Sequence, residues 1–255
     1  MAYRKVDETS LTAVADAIRT KGGTTEPLTF PDGFVSAVEG ITSSGGSSGG
    51  GEWTTDGIAN GSEPNGELTI TGTEIAQYAL AYRTGITRIN APNVTKIGKT
   101  ALEGMNLTDG VYFPELVDIG SQAFLYATVP EIYLPKTPKI SNFRLAKIKK
   151  VECPIATEIA NSAFSENTTI QVVIGPKVTN ISNYAFTITR NLKALVLASQ
   201  TVVTLAGTNN FTQAPVFTVY VPESLISEYQ TATNWSTFYE SGALTFAAIE
   251  GSEYE

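Results

Sequence analysis

One phrase recurs along the chain. "TEIAQYAL" (73–80), "TKIGKTAL" (95–102), "VDIGSQAF" (117–124), "TEIANSAF" (157–164) and "TNISNYAF" (179–186) are variants of it. Its isoleucines fall at Ile75, Ile97, Ile119, Ile140, Ile159 and Ile181, with Val203 as a seventh, at spacings of 22, 22, 21, 19, 22 and 22 residues. Prolines keep nearly the same beat at Pro92, Pro114, Pro135, Pro154 and Pro176. Self-similarity at one such period is the signature of a solenoid: one unit cannot bury its own apolar face, but a stack of units can.

A short strand precedes each proline. Its cores are "ITRINAP" (86–92), "GVYFP" (110–114), "EIYLP" (131–135), "KVECP" (150–154), "VVIGP" (172–176), "LVLAS" (195–199) and "TVYVP" (218–222). Alternation with period 2 predicts that Ile89/Ala91, Val111/Phe113, Ile132/Leu134, Val151/Cys153, Val172/Ile174, Leu195/Leu197 and Val219/Val221 point inward. Proline closes each strand because it has no N–H for the ladder. The unit is then a strand, a proline turn, an extended "V-T-x-I" piece and a tight "x-x-A-F" corner, and successive strands pair in parallel. Two units depart. "ISNFRL" (140–145) sets Arg144 and Leu145 where others have Ala-Phe, and "VTLAGTNNF" (203–211) lengthens the corner. The expected fold is mainly β, about seven units of 19–22 residues.

The segments before the repeats read differently. Asp7, Thr9 or Ser10 can cap a helix whose apolar face is Leu11, Val14, Ala15 and Ile18, and Gly22 and Gly23 end it. "PLTF", ending at Phe30, is extended, and Pro31 and Asp32 open a second helix bearing Phe34, Val35, Val38 and Ile41. Residues 1–42 form a helical hairpin too short for a core of its own. Leu11, Val14, Ile18, Phe30, Phe34, Val38 and Ile41 are therefore expected to pack on copies of the chain, a trimer being favoured, or on a larger partner. Residues 43–52 are a flexible Gly/Ser linker, and 53–255 hold the repeats.

Composition narrows the function. Asp and Glu number 25 against 17 Lys and Arg, a net charge of −8, and the densest basic stretch is "KIKK" at 147–150. That is no footprint for nucleic acid. The chain has no histidine and one cysteine, which removes His-based triads, most zinc sites and any intramolecular disulfide. Neither a cofactor nor a metal is expected. No apolar run is long enough for a membrane span, and the N-terminus lacks the apolar core of a signal peptide.

The strand–Pro–"VTxIxxxAF" unit resembles the leucine-rich repeats of the BspA type. The resemblance covers roughly residues 53–246, including "DGIANGSEPNGELTI" (56–70) ahead of the repeats and "VYVPESLISEYQTATNW" (219–235), which resembles a closing unit with a short capping helix. It implies a leucine-rich-repeat solenoid. "SLTAVADAIRTKGGTTEPLTFPDGF" (10–34) resembles the leader of phage tail proteins that carry such repeats, in phages of Gram-positive hosts. That implies a non-enzymatic virion fibre, made in the host cytoplasm. It would be anchored to other virion proteins through residues 1–42 and would meet a host cell-surface glycan or protein. The alternatives are a bacterial surface adhesin and a glycan-cleaving tail spike.

The candidate surface is the outward strand face. One outward column runs Asn90, Tyr112, Tyr133, Glu152, Val173, Val196 and Tyr220; another runs Arg88, Gly110, Glu131, Lys150, Gln171, Ala194 and Thr218. Tyr112 and Tyr133 are expected about 4.7–4.9 Å apart on neighbouring strands. With Arg88, Asn90, Glu131, Lys150 and Glu152 around them, they suit a sugar ring or a protein loop. The same column could instead be a cross-strand ladder that only stabilises the sheet, or an interface between subunits. Glu131 and Glu152 could approach one another, but a glycosidase needs two carboxylates about 5–10 Å apart in a cleft, and no catalytic residue is assigned. Cys153 is assigned to the core.

Overall fold

A computed structural model describes Thr55–Asp56, as backbone, and residues 66–255. The hairpin expected over residues 1–42, with its anchor residues, and the linker expected over 43–52 lie outside the described residues. The described chain is a mainly β, parallel solenoid of about seven turns.

Each turn supplies one strand to a main sheet and one two-residue strand to a second sheet. The main strands are β2 (Gly66–Ile70), β4 (Ile86–Asn90), β6 (Gly110–Tyr112), β8 (Thr128–Tyr133), β10 (Lys147–Glu152), β12 (Val172–Ile174), β14 (Ala194–Val196) and β16 (Phe217–Val221). The short ones are β3 (Glu74–Ile75), β5 (Lys96–Ile97), β7 (Asp118–Ile119), β9 (Lys139–Ile140), β11 (Glu158–Ile159), β13 (Asn180–Ile181) and β15 (Thr204–Leu205). Before the stack, β1 (Thr55–Asp56) pairs antiparallel with β2; after it, β17 (Leu244–Ala248) pairs parallel with β16.

The ladder register corrects the sequence reading at two strands. Val151 pairs with Val173, and Val173 with Leu195, so Val173 is the inward residue and is fully buried. Val172 and Ile174, expected inward, share the outward columns with Lys150 and Glu152. Three apolar residues in a row carry no alternation to orient them, and the inward site after them is Gly175. A Cβ there would meet Val178 Cγ2 at 2.7 Å, so a neighbouring side chain already fills its place. The seventh anchor is Leu205, not Val203, because Leu205 pairs with Ile181.

The corners are stitched by alternating backbone bonds. The N–H groups of Tyr78, Leu80 and Tyr82 donate to Lys99, Ala101 and Glu103 carbonyls of the next turn, while those of Ala79, Ala81 and Arg83 bond back within their own turn. Turning every second N–H onto the next turn needs left-handed residues. Tyr78, Thr100, Gln122, Asn142, Ser162 and Tyr184 form one such column, and Tyr82, Gly104, Tyr126, Leu145, Glu166, Ile188 and Gln213 a second, all with φ between 51° and 69°. The turns approach closely beside the corners. A Cβ on Gly98 would lie 2.5 Å from the Gln77 nitrogen, which leaves room only for glycine.

Inside the corners runs a phenylalanine stack. Phe124, Phe143, Phe164, Phe186 and Phe211 follow one another at centroid distances of 5.3, 5.6, 5.3 and 5.5 Å. Phe143 thus takes the Phe position of its unit; Arg144 and Leu145 do not replace Ala-Phe, and the corner is simply shorter. In the lengthened corner, Asn210 stands ahead of Phe211, and its Oδ1 accepts the Ala185 N–H at 2.9 Å.

Both sheets break at one turn. β6 and β8 are not hydrogen-bonded neighbours, nor are β7 and β9. Pro130 aligns with Lys149, at a position where Asp109 and Gln171 donate to the Thr87 and Lys149 carbonyls of the preceding turn at 2.9 and 2.8 Å. Pro138 aligns with Thr157, where Val117, Thr157 and Thr179 donate in the same way. Proline has no N–H to give. Backbone bonds cross the junction at the start of β8, where the Leu107 N–H donates to the Thr128 carbonyl and the Thr128 N–H to the Met105 carbonyl, each at 2.8 Å. Beyond the prolines side chains take over, Thr137 Oγ1 donating to the Leu116 carbonyl and Asn142 Nδ2 to the Ile119 carbonyl, each at 2.7 Å.

The far end is closed by a helical cap. A 3-10 turn (Glu223–Leu225) leads into α1 (Ile226–Thr231) and α2 (Trp235–Glu240). Trp235 and Tyr229 are fully buried. Trp235 Nε1 donates to the Val203 carbonyl at 2.7 Å, the Val203 N–H donates to the Tyr229 hydroxyl at 3.0 Å, and Asn234 Nδ2 donates to the Leu205 carbonyl at 2.6 Å. Cap side chains therefore take the backbone groups that a further turn would have paired.

Candidate functional site

On the outward face of the main sheets the side chains are set by register. Arg88 and Asn90 on β4 lie beside Gly110 and Tyr112 on β6; Glu131 and Tyr133 on β8 lie beside Lys150 and Glu152 on β10. The seven candidate residues thus form two groups, one on each side of the break. Tyr112 and Tyr133 stand on consecutive turns, exposed by 51% and 57%. Their strands share no ladder, and the two rings make no contact of the kind that joins Phe143 to Phe164. The expected tyrosine stack is absent because Pro130 interrupts the sheet between them.

Charges on this face are partly matched. Arg88 Nε lies 3.7 Å from Glu67 Oε2, and Lys150 Nζ 3.4 Å from Glu152 Oε2. Glu131 is diagonal to Glu152, with Lys150 directly beside it in the register. The two carboxylates are therefore separated by an ammonium rather than facing across a cleft. A Cβ at Gly110 would meet nothing within 4 Å, so the face is open beside Arg88.

The character of the face changes along the stack. Past Glu152 the same column continues as Ile174, Val196, Tyr220 and Ala247. Val196 is nearly fully buried, and the C-terminal Tyr254 packs edge-on against Tyr220 at 4.8 Å. Burial and the neighbouring Glu253 push the Tyr254 hydroxyl up to about 12. The accessible aromatic and charged part is therefore the stretch from β4 to β10. Behind it, Cys153 is fully buried, and desolvation followed by the adjacent Glu152 pushes its thiol up to about 12. It behaves as a small core residue.

Sequence reasoning missed a second set of exposed aromatics. Tyr78, Tyr82, Tyr126 and Tyr184 occupy left-handed corner positions and are 56%, 61%, 49% and 47% exposed. Tyrosine gives no turn signal, so nothing in these four copies marks the backbone. Gly104, which aligns with Tyr82 and Tyr126, was the one sign that this position turns left-handed.

A stack of parallel turns with an apolar column at its corners and an outward strand face exposed from β4 to β10 defines a repeat protein that presents a surface for binding. A family model for the BspA type leucine rich repeat region matches in six copies, over residues 65–166 and 117–239. The chain belongs to that family. Among curated proteins, none matches it.

Proposed function

We propose that the protein is a non-enzymatic recognition component of a phage particle, a tail or virion fibre that displays its repeat face to a host cell surface. The observation that carries the reading is the β4–β10 face: two half-exposed tyrosines amid Arg88, Glu131, Lys150 and Glu152, on two successive sheets of the stack whose inner side is packed core. Exposed tyrosines with charged handles beside them suit a sugar ring or a protein loop of the receptor. Membership of a repeat family with a binding surface supports the coarse part of this reading. The virion setting is supported by the resemblance of residues 10–34 to phage tail leaders. In this account residues 1–42 hold the chain on other virion proteins or join it into a trimer.

The test uses purified Gram-positive cell walls. The chain should sediment with them, saturably, and release no reducing ends. Release of reducing ends would make it a glycan-cleaving spike, and failure to sediment would remove the recognition role. Light scattering tests the anchor separately: the intact chain should be oligomeric, and a monomer unaffected by deletion of 1–42 would contradict it.

A further inference from the structure

The corner edge carries a groove that the sheet-face reading does not use. It is lined by Tyr126, Leu145, Lys147, Glu166, Ile188 and Arg190, and encloses about 300 Å³. That volume is at the small end for ligand pockets. It lies at the beginning of β8 and β10, apart from Tyr112 and Tyr133, which end β6 and β8.

Four of its residues, Tyr126, Leu145, Glu166 and Ile188, are the left-handed residues of four consecutive turns. The corner thus brings one side chain per turn to the same edge, with Leu145, Glu166 and Ile188 each bonded through the backbone to the following turn and Tyr126 across the break from them. Holding a non-glycine residue in this backbone costs about 1–2 kcal/mol, and the fold accepts glycine there, as Gly104 shows. These four positions carry the half-exposed Tyr126, the partly buried Leu145 and Ile188, and Glu166. The conformation is common to every corner; this stretch is set apart by the side chains it gathers on one edge, an aromatic ring and two aliphatic chains beside two basic heads.

The charges select the ligand. Lys147, in the basic stretch "KIKK", has no ion pair among the described residues. Arg190 donates to the neutral Gln213 Oε1 at 3.0 Å. Glu166 is already paired with Arg144. Two cationic heads are thus left without a counter-charge beside an aromatic ring and an apolar floor, on a chain of net charge −8. We propose that this groove binds an acidic saccharide. The sugar's C–H face would lie on Tyr126 and between Leu145 and Ile188, and its carboxylates or phosphates would meet Lys147 and Arg190. The groove runs along successive turns, which fits a linear oligomer.

The test is calorimetry on the full chain with two anionic probes, tetragalacturonate and a phosphorylated dextran oligomer, each beside its neutral counterpart. At least one should bind saturably, and its neutral form at least about tenfold more weakly. The double variant Lys147→Gln/Arg190→Gln and the single variant Tyr126→Ala should each weaken binding by about tenfold or more, with thermal unfolding unchanged. Tyr112→Ser/Tyr133→Ser should leave it intact, which separates this groove from the sheet face. Which probe binds tells carboxylate from phosphate. Binding of neither, equal binding of the neutral forms, or binding that survives the Lys147/Arg190 and Tyr126 changes would overturn the proposal.

Discussion

Glycine is used for two different reasons in this chain, and the reasons have different consequences. Gly98 is a matter of space: a Cβ would collide with backbone of the previous turn, at 2.5 Å from Gln77 N and 2.9 Å from the Ala76 carbonyl carbon. Gly104 is a matter of conformation, with φ of +69°, and the atoms a Cβ would meet belong to the exposed Tyr82 ring, held by its hydroxyl's bond to Glu103, rather than to backbone. Gly104→Ala should cost about 1–2 kcal/mol, and Gly98→Ala more than that, since two turns must part. Thermal melts of the two variants check the order; a milder effect at Gly98 would contradict the close-approach account. Titration gives a second test. Burial pushes the Tyr229 hydroxyl up to about 12, against the smaller downward pull of the Val203 backbone bond. A raised phenol pKa means that the folded state holds its proton more tightly. The associated stability is whole below the usual tyrosine pKa of about 10 and is lost as pH rises through the folded value. The drop in melting temperature between about pH 9 and pH 11 should shrink in Tyr229→Phe. An unchanged drop would mean that Tyr229 ionises freely. Legibility at this scale followed chemical contrast. Val151 and Cys153 were readable because Lys150 and Glu152 flank them, whereas Val172, Val173 and Ile174 offered no polar neighbour to set the face.

Among the elements, the short strands and corners were legible because Ile and Ala-Phe recur at fixed offsets. The breaks were not, although Pro130 and Pro138 stand in plain view. Each reads in sequence as one more proline in a proline-punctuated repeat. Only alignment to a ladder shows that it occupies a donor position instead of a strand end. The cap was partly legible: one short helix was expected, but not the second helix or β17, nor the way the cap side chains replace a missing turn. Trp235 carries much of that role. It is buried against Phe211, Tyr229 and Phe246 at 6.0, 5.4 and 5.9 Å, and its indole N–H meets the Val203 carbonyl. Trp235→Ala should cost about 3–5 kcal/mol, read from denaturant unfolding followed by circular dichroism, with fraying expected first at β15 and β17. A loss below about 1 kcal/mol would show that the stack closes without it.

For the whole molecule, periodicity decided the architecture and left the binding surface open. Repetition identifies what every turn needs, and those residues are core. Recognition must lie in what the turns do not share, and a single sequence does not rank such positions. The outward strand residues could be named because strand alternation exposes them. The corner groove could not, because its residues are spread over four turns and held by a backbone conformation that tyrosine, leucine and isoleucine do not advertise. The central claim is that the β4–β10 face is the surface that meets the cell. Its most direct test is fluorescence-detected binding of the labelled full chain to Gram-positive cells, comparing the parent with Tyr112→Ser/Tyr133→Ser and with the corner variant Tyr184→Ser. The account predicts saturable binding that falls by about tenfold or more in the sheet-face variant and is unchanged in Tyr184→Ser, both variants melting like the parent. Undiminished binding by a folded Tyr112→Ser/Tyr133→Ser chain would contradict it.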